Sequence, residues 1–190
     1  GVQTCALPIF CIRQGNTVLS VETFRSMDLM QLCGAIKNKY DDAMPSERPQ
    51  EILVDVIGLG SGVVDRLAEQ DLPVRGINVA ESPSTKKNFL NLRAELWFSV
   101  KDWLSKRDCR MPEDDELAAE LVSPTYKYTS TGKIKLESKE EMRKRGIKSP
   151  DKADSLALTM ASNAVSSSGS RSFFGYNFRK PLKSRIHRVG

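Results

Sequence analysis

The chain of 190 residues is 39% hydrophobic and 28% charged and carries a net charge of +5, which suits one soluble domain with a tail. No apolar run approaches the roughly 18 residues that a membrane span requires. The four cysteines form no CxxC pair and the single histidine is His187, which argues against a Cys/His zinc site and against Ser-His-Asp catalysis.

Hydrophobic periodicity and turn residues predict an α/β chain. In chain order, we predict a hairpin turn at 14–16 with a second strand at 17–23, a helix at 28–40, a strand at 51–57, a helix at 64–68 and a strand at 74–79. There follow a long helix at 87–106, a short helix at 114–122 and a hairpin of strands 126–129 and 134–136. The segment 140–145 then leads to a closing helix at 150–163. This order favours a mixed central sheet flanked by helices.

The strand 52–57 contains an acidic residue, Asp55, in a run that is otherwise apolar and that ends at Gly58. Apolar, β-branched runs of this kind are typical of strands buried on both faces. An unpaired carboxylate there would cost several kcal/mol, roughly the penalty for burying a lone charge. Asp55 therefore requires a cation partner, a bound metal ion or a catalytic role.

A second acidic cluster lies at the start of the closing helix. Ser149 and Pro150 predict its N-cap and first helical position. Asp151 and Asp154 are three residues apart and share one face, which Leu158 continues toward the interior. Acids in a first turn commonly complement the helix dipole, so this cluster alone is weak support for a site. Together with the strand acid it predicts a site for divalent cations.

Four blocks of the sequence resemble the nuclease domain of the large terminase subunit of tailed bacteriophages. They are 54–65 with the strand acid and its glycines, 74–78, 89–97, and 139–158 with the helix acids, in the family's order and spacing. The resemblance covers most of the chain. It implies a ribonuclease-H-like fold and a metal-dependent endonuclease that cuts concatemeric DNA during genome packaging.

The resemblance also implies roles for individual residues. Asp55 and Asp151 match metal-binding acids, and Asp154 a further acid of the catalytic site. The metal would be Mg²⁺ or Mn²⁺, with two ions per site in the intact family, and hard ions of this kind need carboxylates rather than histidine. Double-stranded DNA, the portal protein and the small terminase subunit are the implied partners, in the host bacterial cytoplasm and at the procapsid portal.

The family's first metal-binding acid is expected near the start of the chain, where Gln3 stands instead. We therefore expect residues 1–9 to be non-native and the nuclease domain to span 10–165. No GxxxxGK[ST] loop occurs, so the packaging ATPase domain is expected to be missing from this fragment. Without the first acid the activity of the fragment is in doubt, and a non-catalytic DNA- or portal-binding remnant of the same fold is the alternative.

Three glycines suggest a further alternative. Gly58, Gly60 and Gly62 follow a strand and precede a helix, with Glu81 beyond them, as in a dinucleotide-binding Rossmann-like domain. The third glycine is one residue early for GxGxxG. The strand before a dinucleotide-binding loop also offers no explanation for an acidic residue such as Asp55.

Basic residues are concentrated in two places. Lys133 and Lys135 of the second hairpin, with Lys139 beyond it, are predicted to bind DNA phosphates, although lysines on an edge hairpin also deter aggregation. Residues 166–190 contain six basic side chains and no acid, which leaves residues 1–165 with a net charge of −1. The Ser/Gly-rich start of this tail predicts flexibility, and its aromatic residues suit either DNA or a partner protein.

Overall fold

The structure, a computed structural model, describes residues 8–25, 27–58, 60–85 and 87–162 and the backbone of 172–177. Its strands are β1 (Ile9–Gln14), β2 (Thr17–Thr23), β3 (Glu51–Asp55), β4 (Val74–Ile77), β5 (Tyr126–Tyr128), β6 (Ile134–Leu136) and β7 (Ser172–Asn177). Its helices are α1 (Leu29–Asp42), α2 (Gly60–Ala68), α3 (Leu92–Ser105), α4 (Asp115–Val122), α5 (Lys139–Lys144) and α6 (Asp151–Leu158), followed by a 3-10 turn at Thr159–Ala161. Within the described ranges, no helix is both long and apolar enough to cross a membrane.

Five strands form a mixed sheet in the order β2-β1-β7-β3-β4. β1 runs antiparallel to both of its neighbours, and β3 runs parallel to both of its own. β5 and β6 form a separate antiparallel hairpin. The predicted mixed central sheet and both predicted hairpins are confirmed.

Helices cover both faces of the sheet. Phe10, Ile52 and Val54 pack with α1 and α2 on one face, whereas Cys11 packs with α3 and α6 on the other. Leu53 packs against Leu158 of α6. Because successive residues of a strand point to opposite faces, Asp55 belongs with Leu53 on the α6 face.

Local signals explain where several elements begin and end. The Asp28 side chain accepts a hydrogen bond from the Gln31 amide and forms a capping box, so α1 begins one residue after the start of the predicted helix. The first hairpin turns at Gly15, whose φ of +54° is the left-handed conformation that glycine adopts most readily. The predicted strand 51–57 ends at Asp55, because the chain turns at Gly58 with a φ of +97°.

Three predicted helices have clearly different bounds in the structure. The helix predicted at 87–106 begins only at Leu92, because the Asn91 side chain caps it and the Leu90 amide instead bonds the carbonyl of Ile134 in β6. The helix predicted at 64–68 begins earlier, at Gly60. The closing helix is α-helical only through Leu158.

β7 lies inside the segment that was predicted to be a flexible tail. Its six residues pair with β1 on one side and with β3 on the other. The rest of the tail, and residues 1–7 with Gln3, lie outside the described residues.

Candidate active site

Asp55 is the last residue of β3, and its side chain is only 7% exposed. Its Oδ1 accepts a hydrogen bond of 3.1 Å from the Ile57 amide. Burial raises the pKa of Asp55 to about 6, with the Ile57 amide and Lys139 opposing the rise and Asp154 adding to it. The strand acid therefore lies within electrostatic range of Lys139 of α5 and Asp154 of α6.

The glycines after β3 have a steric role. A Cβ on Gly60 would lie 1.8 Å from the Asp55 carbonyl oxygen, so only glycine lets α2 start this close to the strand end. The sheet is also mixed rather than fully parallel. A mixed sheet does not match the mostly parallel sheet of a dinucleotide-binding domain.

Asp154 is buried among three donors that converge on its carboxylate. Arg93 donates from Nε at 3.1 Å and the Trp97 indole donates at 2.7 Å, both to Oδ1. Lys139 Nζ lies 2.7 Å from Oδ2. Burial raises the pKa of Asp154, but the Arg93 and Lys139 charges outweigh it and hold the pKa at about 2. Asp154 is thus an ionised carboxylate that fixes the positions of two cations.

Lys139 connects the two helix acids. Besides its contact with Asp154, its Nζ lies 3.4 Å from Asp151 Oδ1, which also accepts a hydrogen bond of 3.0 Å from the Ser149 hydroxyl. Ser149 was predicted to cap α6, and this is wrong: Pro150 holds the cap position and offers no side-chain hydrogen bond. Lys139, for which the sequence predicts DNA binding, lies between the carboxylates of Asp151 and Asp154.

The missing cap of α6 is supplied by another helix. Glu120 of α4 accepts a hydrogen bond of 3.0 Å from the Ala153 amide in the first turn of α6. Burial is the main reason that the pKa of Glu120 rises to about 7, and the nearby charge of Asp151 adds to it. No local sequence signal marks this residue, because a glutamate on a short helix usually faces solvent.

Arg93 links the β5–β6 hairpin to the site. The Arg93 guanidinium donates a hydrogen bond of 2.9 Å to the carbonyl of Glu137, a residue in the short link between β6 and α5. Lys133 and Lys135 are half-buried on this hairpin, and neither has an ion-pair partner within the described part of the chain. No local sequence signal predicted a role for Arg93 or Trp97.

The donor chemistry of this site fits a hard divalent cation, though only in part. Asp55 and Asp151 provide carboxylate oxygens, the ligands that Mg²⁺ prefers. A cation beside Asp55 would also relieve the cost of burying its charge. Asp154, by contrast, is neutralised by Arg93 and Lys139. Among the described residues no group of three or more His, Cys, Asp or Glu side chains could hold a metal ion.

Comparisons with known proteins find similarity in structure and not in sequence. No protein-family model matches the chain, and no curated protein sequence matches it. The nuclease domain of the large terminase subunit gp2 of bacterial virus Sf6 is similar over 86% of this chain and 92% of its own, with a TM-score of 0.68 and 21% identity. A lysine-to-alanine variant of that domain, determined with manganese, covers 85% of this chain and 91% of its own, with a TM-score of 0.67 and 20% identity.

A second phage provides a further match. The large terminase nuclease of thermophilic phage G20c, with bound magnesium, is similar over 80% of this chain and 79% of its own, with a TM-score of 0.56 and 17% identity. Identities this low establish the fold alone. The chain has the ribonuclease-H-like fold of the phage terminase nuclease domains.

Proposed function

We propose that this chain is the nuclease domain of a phage large terminase subunit and cuts DNA with the help of divalent metal ions. The observation that carries the proposal is Asp55, a buried carboxylate at a strand end that lies within electrostatic range of Lys139 and Asp154. The terminase nuclease fold, in domains whose structures hold manganese or magnesium, supports it.

Asp55 and Asp151 are the residues that would hold the metal. Bound divalent ions would activate a water molecule and stabilise the charge on the phosphate and the leaving oxygen. The raised pKa of Asp55 means that the ligand must lose a proton before it binds, so metal binding should strengthen as pH rises through about 6.

Asp154 acts through its neighbours. It fixes Lys139 at one carboxylate oxygen and Arg93 at the other, and both cations lie within electrostatic range of Asp55. Lys139 is then a preorganised positive charge beside the metal ligands, suited to a phosphate oxygen. We assign Asp154 a positioning role and not that of a metal ligand.

The substrate and partners follow from the same proposal. Double-stranded DNA would be held by phosphate contacts of Lys133 and Lys135, on the hairpin that leads into α5. The portal protein, the small terminase subunit and a packaging ATPase domain would be its partners, in the cytoplasm of the bacterial host and at the procapsid portal.

The test is cleavage of supercoiled plasmid by the full chain with Mn²⁺, Mg²⁺ or EDTA. We expect nicked and linear DNA with the metals and none with EDTA. Asp55→Asn and Asp151→Asn should each abolish cleavage, whereas Asp41→Asn, at an exposed pair on α1, should cut as the unmodified chain does. Cleavage that survives both site substitutions would refute the proposal.

A DNA-binding remnant without cleavage is the second candidate. It is favoured by the lack of three grouped metal-binding side chains among the residues described. In that case the full chain would shift DNA in a gel, would not cut it under any metal, and would bind equally well after Asp55→Asn.

A further inference from the structure

The β5–β6 hairpin has two chemically different faces. Tyr126 pairs with Leu136 and Tyr128 pairs with Ile134, so these four side chains share one face. Lys127 pairs with Lys135 on the opposite face, and Lys133 precedes Lys135 by two residues and shares that face. The hairpin therefore has an aromatic face and a basic face.

The aromatic face forms a row of rings that continues from the body of the domain to solvent. The ring centroids of Phe98 and Tyr126 lie 5.2 Å apart, and those of Tyr126 and Tyr128 lie 6.1 Å apart, both in edge-to-face arrangements. Tyr126 is 50% exposed and Tyr128 is 66% exposed. Neither hydroxyl has a hydrogen-bond partner in the described part of the chain. A hairpin held together only by its own packing has no need of two large exposed rings.

Among the described residues, the positive charge of the basic face exceeds the negative charge close to it. Lys127 and Lys135 lie directly opposite each other, an arrangement that destabilises a strand pair. Within the described residues only Lys127 reaches a carboxylate, that of Glu141 at 3.1 Å. The segment 126–136 contains three lysines and no acid. Anionic groups such as phosphates would relieve this repulsion.

An apolar groove extends the aromatic face along α3 and α4. Its volume is about 430 Å³, and Trp97, Phe98, Leu104, Leu121, Val122 and Tyr126 are among the residues that line it. Lys101 lies on its rim, with Nζ 5.2 Å from the centre of the Phe98 ring. The groove therefore offers space for a planar ring next to the exposed tyrosines, with a cation beside it.

We propose that the aromatic face of this hairpin binds unpaired bases of single-stranded DNA. Bases stack on Tyr128 and Tyr126 with Lys101 beside them, and the sugar-phosphate backbone passes round the edge of the hairpin to Lys133 and Lys135 on the opposite face. Stacking surfaces flanked by cations are how proteins bind single strands without reading their sequence. Cations on both faces of the hairpin favour nucleic acid over a protein partner, because an apolar protein segment would leave their charges unneutralised.

This inference rests on the proposed nuclease function and narrows its substrate. Arg93 ties the base of the hairpin to Asp154, so unpaired bases held at the tyrosines would lie on DNA that continues toward Asp55. The preferred substrate is then DNA with a frayed or single-stranded stretch beside the scissile phosphate. Fully paired DNA would use only the lysines.

The experiment measures binding of the full chain to a fluorescent oligothymidylate and to a duplex of equal length. In the Tyr126→Ala/Tyr128→Ala variant we expect single-strand affinity to fall roughly tenfold or more, since stacking on one aromatic ring is worth about 1–3 kcal/mol per base. Duplex affinity should stay within about twofold, because phosphate contacts carry it. Tyr126→Phe/Tyr128→Phe should bind as the unmodified chain does, since the rings remain. Met30→Ala, at a side chain 57% exposed on α1 and outside the groove, is the matched control.

A second readout does not depend on the alanine variant folding. Tyr128→Trp keeps an aromatic ring in place, and its fluorescence should be quenched by oligothymidylate and not by duplex. Single-strand affinity within twofold of the unmodified chain in the double alanine variant, or no difference in quenching between the two DNAs, would overturn the inference. Plasmid cleavage that still depends on Asp55 in such a result would leave the nuclease proposal standing. A partner protein that binds the tyrosines while single-stranded DNA does not would also overturn it.

Discussion

The Lys139 ammonium lies 2.7 Å from a carboxylate oxygen of Asp154, inside a cluster that also holds Arg93 and Trp97. Removing one partner of such a buried pair leaves a charge without compensation and typically costs about 3–5 kcal/mol. Asp154→Ala should therefore lower the free energy of unfolding by roughly 3 kcal/mol, measured by urea denaturation.

The control for this loss is a surface ion pair. Lys37 and Asp41 are both well exposed on α1, so Asp41→Ala should cost no more than about 1 kcal/mol. Equal losses for Asp154→Ala and Asp41→Ala would show that the buried cluster does not organise the site.

Two buried carboxyl groups make stability depend on pH. Burial raises the pKa of Asp55 to about 6 and that of Glu120 to about 7, from ordinary values of 3.8 and 4.5. Between the ordinary and raised values the folded state binds more protons than the unfolded state. The free energy of unfolding should therefore decrease as pH rises from about 4 to about 7. The combined variant Asp55→Asn/Glu120→Gln should flatten this decrease.

The lowered pKa of Asp154 has the opposite effect on stability. Its pKa of about 2 gives a contribution that is complete above the ordinary value of 3.8 and is lost as pH falls through about 2. Urea denaturation at a series of pH values separates the two effects. An unchanged slope between pH 4 and 7 in the combined variant would contradict the assigned pKa shifts.

The hairpin lysines should contribute to duplex binding without sequence preference. Lys133→Ala/Lys135→Ala should weaken binding equally across sequences. It should also reduce the salt dependence by about two, at roughly 0.9 per phosphate contact. Fluorescence anisotropy over a range of salt concentrations measures both. Identical affinity and slope in the variant would leave the hairpin lysines with a structural role only.

β7 should be needed for the sheet to fold as one unit. It lies between β1 and β3, and those two strands are not neighbours without it. A chain that ends at residue 171 would expose two unpaired strand edges, whereas one that ends at Asn177 keeps the pairing. We expect the shorter chain to unfold at lower temperature and with less cooperativity by circular dichroism. Identical melting curves for the two truncations would argue against a central β7.

Local sequence signals predicted most of the elements, because they act over a few residues. The Asp28 cap, the Gly15 turn and the periodicity of α3 needed no tertiary information. The start of α3 at Leu92 was missed because a distant hydrogen bond to Ile134 holds the preceding segment extended. β7 was missed for the same reason, since a polar-flanked strand is recognisable only by its partners.

The candidate site was predictable only where a residue conflicted with its surroundings. Asp55 attracted attention because a buried strand has no ordinary place for a carboxylate. The partners of Asp154 did not, because Arg93 is 61 residues away in sequence and Trp97 is 57. Glu120, 33 residues before Ala153, likewise acquires its role only after α4 and α6 pack together.

The central claim is that Asp55 and Asp151 hold a divalent metal ion. Anomalous diffraction from crystals of the full chain soaked in Mn²⁺ tests it most directly. We predict an anomalous peak in contact with carboxylate oxygens of both residues. The carboxylates of Asp55 and Asp151 should then lie roughly 4–8 Å apart, the span that one or two bridging ions allow. The peak should be lost in Asp55→Asn. Absence of any peak, or carboxylates on opposite sides of the sheet, would contradict the claim.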